Sequence, residues 1–213
     1  MSKLLVRPLG TAPYEEVWRA MRKFTDDRTP STTDELWVVE HPAVFTLGQA
    51  GKRIHIIQDT QIPIVESDRG GQVTYHGPGQ LVIYLLVDLR RQSLGVRDLV
   101  SGIENSIIRL LGHWQIAAAA RKEAPGVYIE GKKIAALGLR VRRGCSYHGL
   151  SLNVSMDLSP FSAINPCGYE GLEIAQLTDF GVNESVSSVA QSLVNEIQHT
   201  FRYDDVTWVK QSE

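Results

Sequence analysis

Tyr14, Val17, Trp18 and Met21 fall at i, i+3, i+4 and i+7, a spacing that gathers them on one face of a helix. Val96, Leu99, Val100, Ile103, Ile107, Leu110 and Leu111 repeat that pattern over a longer span and predict the most regular helix of the chain. Val186, Val189, Leu193, Val194 and Ile197 predict a third. Elsewhere the period shortens. Apolar runs at 36–39, 44–47, 62–66, 81–87, 114–119, 127–129, 134–141 and 150–154 read as strands. His41-Pro42 separates the first two, and Gly131 and Gly144 mark turns. Strands crowd the middle of the chain, with helices before, between and after them in no regular alternation. That order predicts an α/β fold of mixed-sheet α+β layers rather than a doubly wound parallel sheet. With no repeat and no linker, residues 1–213 read as one domain.

One stretch departs from both periods. Residues 69–80 read Arg-Gly-Gly-Gln-Val-Thr-Tyr-His-Gly-Pro-Gly-Gln, four glycines and a proline within twelve positions. Glycine reaches backbone angles closed to other residues and lets other groups approach the main chain. Two readings stand: a tight irregular connection, or a shaped loop lining a ligand cleft on a rigid sheet. A phosphate loop is excluded, because Gln80 and Leu81 follow Gly79 where Lys-Ser or Lys-Thr is required. A dinucleotide fingerprint is excluded too, since a strand rather than a helix follows.

Composition narrows the classes. Apolar residues make up 43% of 213, enough for a sizeable core, and no run approaches a membrane span. The first residues lack the apolar length of a secretory signal, and two cysteines make no disulfide framework. The expectation is a reduced, cytoplasmic protein, monomeric by default. Net charge is -2, but residues 121–143 hold seven basic and two acidic side chains, a local +5. That cluster is either a solvated surface or a docking patch for an acidic partner. Nucleic acid is not expected, because the chain is slightly acidic and carries no recognition motif.

Candidate chemistry lies in three places. Cys145 follows Gly144 and reads as a small packing residue entering a strand. Cys167 stands in Asn165-Pro166-Cys167-Gly168, a sharp turn from which a sulfur can project. It is an ordinary turn cysteine unless something lowers its thiol pKa, and its own segment holds no cation to do so. In the run 131–138, Gly-Lys-Lys-Ile-Ala-Ala-Leu-Gly, two lysines open an apolar strand. Neighbouring strand residues face opposite sides, so either both snorkel to water or Lys133, in step with Ala135 and Leu137, faces inward. An inward lysine can serve as a base. His41, His76 and His148 each sit near glycine or proline, in a spacing that matches no zinc motif, so no metal is expected. They orient a substrate or satisfy buried hydrogen bonds.

Taken together, the 69–80 loop, the 131–138 strand and Asn165-Pro166-Cys167-Gly168 resemble the bacterial lipoyl(octanoyl) transferases. Glu40-His41-Pro42 with Phe45-Thr46-Leu47-Gly48, and His148-Gly149 with Asn153, fit the same pattern in register. The resemblance implies the fold of the lipoate and biotin protein ligase catalytic domains. It also implies transfer of octanoyl from octanoyl-acyl carrier protein to a lysine of lipoyl domains, those of 2-oxoacid dehydrogenase complexes and of the glycine cleavage H protein, with no cofactor. By matching positions, Cys167 takes the nucleophile's role and Lys133 its activator's. Arg69, Gly70, Gly71, Gln72, Val73, Thr74, Tyr75, His76, Ala136, Leu137, Gly138, Gly149, Leu150 and Ser151 match the substrate-binding segments. Two rivals are an ATP-dependent lipoate or biotin ligase and a non-enzymatic acyl- or lipoyl-binding module.

Overall fold

The computed structural model describes residues 2–210. In chain order the elements are β1 (Lys3–Thr11), α1 (Tyr14–Asp27), β2 (Asp34–Glu40), β3 (Val44–Leu47), β4 (Ile64–Glu66), β5 (Val73–His76), β6 (Gln80–Leu86), α2 (Val96–His113), β7 (Ala119–Ala120), β8 (Gly126–Ile129), β9 (Lys132–Arg142), β10 (Cys145–Asn153), α3 (Val186–Phe201) and β11 (Asp205–Trp208). Eight strands form one sheet in the order β11-β1-β2-β6-β10-β9-β8-β7, and β4-β3-β5 form a second. Both are mixed: β1 runs parallel to β2 and β11, and β3 parallel to β4, while β6, β10, β9 and β8 pair antiparallel.

The unbroken apolar run of β6 has a plain cause. Leu81, Ile83 and Leu85 face the core shared with α2 and α3. Val82, Tyr84 and Leu86 face the other way, against Val17 and Met21 of α1. A strand buried on both faces needs no polar alternation, and each Leu or Ile removed from water contributes about 1.5–3 kcal/mol. β6 and its neighbour β10 thus form the rigid floor on which the 69–80 loop stands.

Three expectations change. The run 114–119 is irregular up to its last residue, where β7 begins: α2 continues to His113, and its end closes through Trp114 and Ile116 N–H groups donating to the Leu111 carbonyl. Trp114, Ile116 and Ala118 pack on the core as irregular chain, which is why they look strand-like. Within the glycine loop, Val73–His76 form β5 and pair antiparallel with β3. β1 and β11, polar at several positions, carry no clear alternation and are added by tertiary pairing.

Candidate active site

The turn at residues 165–168 presents its cysteine under strain. Cys167 adopts φ 57° and ψ 15°, the left-handed region, which costs a side-chain-bearing residue roughly 1–2 kcal/mol. Such conformations persist where surrounding structure holds them and cluster at functional sites. Here the Gly168 N–H donates to the Asn165 carbonyl (2.9 Å) and the Tyr169 N–H to the Pro166 carbonyl (3.1 Å). Both N–H groups are therefore spent on the turn rather than left for an oxyanion. Asn165 N–H also donates to the His55 carbonyl at 2.8 Å, tying the turn to the 53–58 segment.

Of the two lysines opening β9, Lys132 reaches out to Glu173 (3.4 Å) and Lys133 is buried. The Lys133 Nζ donates to Cys167 Sγ at 2.9 Å across thirty-four positions of sequence. Its backbone is gripped from both sides: its N–H donates to the Glu173 carbonyl, and the Ala175 N–H donates to its own carbonyl. Asn153 of β10 donates to the Ala175 carbonyl (2.9 Å), and Gln80 donates to Asn153 Oδ1 (2.9 Å). A chain of hydrogen bonds thus runs from the glycine loop to the strand that carries the lysine.

Lys133 and Cys167 border a cavity of about 340 Å³, within the range of small-ligand sites. Arg69, Gly70, Gly71, Gln72, Val73, Thr74, His76, Ala136, Leu137, Gly138, Gly149, Leu150 and Ser151 all line it. Tyr75 does not; its ring packs between Phe45 and Phe161 in the core of the small sheet. Gly77 lies against the Tyr75 hydroxyl rather than in the wall. The loop keeps its shape through two devices. Arg69, buried, donates to Thr46 Oγ1 and to the carbonyls of Thr46, Gly70 and Gln72. A Cβ on Gly48 would meet the carbonyl oxygens of Arg69, Gly70 and Gly71 at 2.4–2.7 Å, so only glycine lets the loop wrap there. Arg69 lines the same cavity as Cys167, and burial works against its charge.

Burial shifts His41, His76 and His148 toward their neutral forms. Burial pushes His41 down to about 4 and His76 down to about 3. His41 donates through Nδ1 to the Ala12 carbonyl (2.7 Å) and accepts the Tyr84 hydroxyl at Nε2 (2.7 Å). His76 bonds Gln80 Oε1 (2.7 Å) and stacks on Tyr14. Burial also lowers His148, whose Nε2–H donates to Asp68 Oδ1 at 2.8 Å. Asp68 further accepts from Trp18 Nε1 (2.7 Å) and the Tyr147 hydroxyl (2.5 Å), joining α1 and β10 to the base of the glycine loop. Burial raises the Asp68 carboxyl, but these donors outweigh it and hold the group well below the carboxylate range. Asp68→Asn puts an NH₂ where donors already point, so a loss of about 2–3 kcal/mol is expected, seen as a melting point lower by roughly 5–10 °C. Because the folded pKa is depressed, this stability is present in full above about pH 4 and is lost as pH falls further. The gap between wild type and variant should close in strong acid.

The basic cluster does not survive as one patch. β9 has eleven residues, roughly 36 Å at about 3.3 Å each, so Lys132 and Arg142 stand at opposite ends. Arg142 pairs with Asp26 (3.0 Å), Arg140 bonds Gln49, and Lys133 is buried. Tyr14, Tyr84, Val96, Val100, Tyr169 and His148 also line the cavity. The helical periodicity of Tyr14, Val96 and Val100 signals core, and nothing local marks Tyr84 or Tyr169 as wall; only His148 among them is a sequence candidate for orienting a substrate. Among the described residues no group of His, Cys, Asp and Glu is placed to hold a metal ion, and no helix is long and apolar enough to cross a membrane.

Residues 13–198 match the model of the lipoyl protein ligase A/B catalytic domain. The chain is 56% identical over 205 residues to an octanoyltransferase of Vibrio atlanticus, covering 96% of this chain and 94% of that protein. It is 62% identical over 182 residues to an octanoyltransferase of Alkalilimnicola ehrlichii, covering 85% of each. Among solved structures, a bipartite lipoate protein ligase of Thermoplasma acidophilum superposes with a TM-score of 0.72 at 19% identity, over 99% of this chain and 89% of that one. That last likeness is one of fold.

Proposed function

This chain belongs to the lipoyl protein ligase A/B catalytic-domain family as an octanoyltransferase, and from its site we propose that it moves octanoyl from an acyl carrier protein to a lipoyl-domain lysine through a thioester on Cys167. The observation that carries this reading is the 2.9 Å contact between the buried Lys133 Nζ and Cys167 Sγ at the wall of the cavity. Lys133 takes the thiol proton, leaving a thiolate beside an ammonium. The thiolate adds to the donor's thioester carbonyl; the C–S bond to the carrier breaks, and Lys133 returns the proton to the departing carrier thiol. Negative charge on the intermediate oxygen lies in the field of Lys133 and Arg69. In the second half, the acceptor amine adds to the Cys167 thioester, Lys133 accepts its proton, and the thiol is regenerated with an amide formed.

The acyl chain fills the cavity. Seven carbons beyond the carbonyl, at about 0.8 kcal/mol each, contribute roughly 5 kcal/mol. Ala136, on the wall beside Ser151, offers a test of length. Ala136→Leu should exclude about two terminal methylenes, lowering acylation by octanoyl donors roughly fifteenfold. Hexanoyl donors should be nearly unaffected; an equal loss for both lengths would take Ala136 out of the wall.

The donor is already activated as a thioester, so no nucleotide is required. The reaction is tested by incubating the protein with octanoyl-acyl carrier protein without ATP and weighing it intact. One octanoyl adduct, mapped to Cys167 and discharged by added lipoyl domain, is expected. An adduct that appears only with ATP would assign the chain to ligase chemistry, and none under either condition would leave it a binding module.

A further inference from the structure

Glu104 is a carboxylate where the fold has no evident use for one. It lies on the core-facing side of α2 beside the fully buried Ile103 and Ile107, and is itself 7% exposed. Among the described residues it makes no direct ion pair. Its Oε1 accepts one hydrogen bond, from the Gly126 N–H at 2.8 Å. Gly126 has φ +143°, and a Cβ there would lie 2.5 Å from Lys133 Cε and 3.2 Å from its Nζ. The end of the lysine therefore lies directly across the glycine that Glu104 holds. We propose that Glu104 is a positioning residue of the acyl transfer: it fixes Gly126 as the bed for the Lys133 side chain and faces the protonated lysine with a negative charge.

The arrangement suits the chemistry. A carboxylate in contact with Nζ would compete with Cys167 Sγ for its protons. Held behind Gly126, Glu104 favours the ammonium form while leaving the hydrogen bond to sulfur in place. Burial pushes the Glu104 carboxyl up, and the Gly126 N–H and the charge of Lys133 oppose that push. The influence is mutual, so an ionised Glu104 favours a protonated Lys133. Lys133 is otherwise faced by Cys167 and by the Tyr128 ring at 5.4 Å, over which Arg121 stacks at 4.2 Å. Arg69 and Glu123 line the same cavity. Glu104 is the anion reaching the lysine from the helix side.

The inference rests on Cys167 as nucleophile, and its test separates the two. Full-length protein is mixed with octanoyl-N-acetylcysteamine, a small octanoyl thioester, and Cys167 acylation is timed by quenching and intact mass across about pH 5.5–9.5. Glu104→Gln keeps the acceptor for Gly126 and removes the charge. It should acylate about tenfold more slowly near neutrality, with the alkaline limb of the profile moved down by about one pH unit. The thioester KM and the melting temperature should stay near wild type, and the substitution should add nothing in a Lys133→Ala background. An unshifted profile, or an equal loss without Lys133, overturns the proposal. Glu104→Met, which suits an apolar helix face, carries the same comparison if the glutamine variant is unstable. A wild-type protein that forms no Cys167 adduct removes both readings; a normal adduct with an unshifted Glu104→Gln profile removes this one alone.

Discussion

Cys167→Ser will form no octanoyl adduct and will transfer octanoyl at less than about one-thousandth of the wild-type rate. A hydroxyl holds its proton far more tightly than a thiol, so Lys133 at hydrogen-bond distance is too weak a base to ionise it. Binding and positioning survive, because the cavity wall is otherwise intact. The fold should survive as well. Position 167 keeps its left-handed backbone, and serine tolerates that angle no worse than cysteine. Cys167→Gly makes the point more sharply. Relief of the left-handed strain gains roughly 1–2 kcal/mol, offset by about 0.5–1 kcal/mol of added chain entropy. Loss of the Sγ partner of the buried Lys133 Nζ costs about 1–3 kcal/mol, so the glycine variant should fold at or somewhat below wild-type stability while lacking all transfer. Intact mass after exposure to donor, beside a thermal melt, checks both halves. A serine variant that still accumulates an acyl adduct would move the nucleophile elsewhere.

That strain was not legible in the sequence, although the turn was. Pro166 and Gly168 announce a sharp reversal at Cys167, and strand parity singles out Lys133 over Lys132 as the inward lysine. What brings the two together is the 173–175 segment, which pairs beside β9 at Lys133. No pattern of period 2 or 3.6 marks that contact, because it depends on a long-range backbone bridge outside any regular strand. The glycine loop shows the same division. Its glycines declare an unusual backbone, yet β5 inside it is defined by pairing with β3, and that partner lies across two turns. Helix periodicity placed Ile103 and Ile107 in the core and passed over Glu104 between them, since a charged residue on a buried face reads as an interruption. The basic cluster, readable as a solvated surface or as a docking patch, turned on a distance that sequence does not give. Nearness in sequence left both readings open, whereas an extended strand carries its two ends far apart.

The largest effect away from the nucleophile belongs to Lys133. Lys133→Ala should lower the rate of Cys167 acylation by about 10²–10⁴, the usual contribution of a positioned acid–base group. It should also change the shape of the pH dependence. With the lysine in place, thiolate forms as one half of an ion pair. Without it, thiolate must form unassisted, so the variant's rate should climb steadily as pH rises into the alkaline range. Part of the deficit should thus be recovered in mild alkali, where wild type gains little. Loss of the buried stem and of the charge facing Glu104 will cost stability too, so Lys133→Met is the better control for packing. It keeps a chain of similar length against Tyr128 and Gly126 and removes only the proton carrier. If Met and Ala variants share one slow, thiol-like profile, the loss is chemical. If Met restores the rate, Lys133 acts through packing alone, and the proton transfers assigned to it must be made by another group.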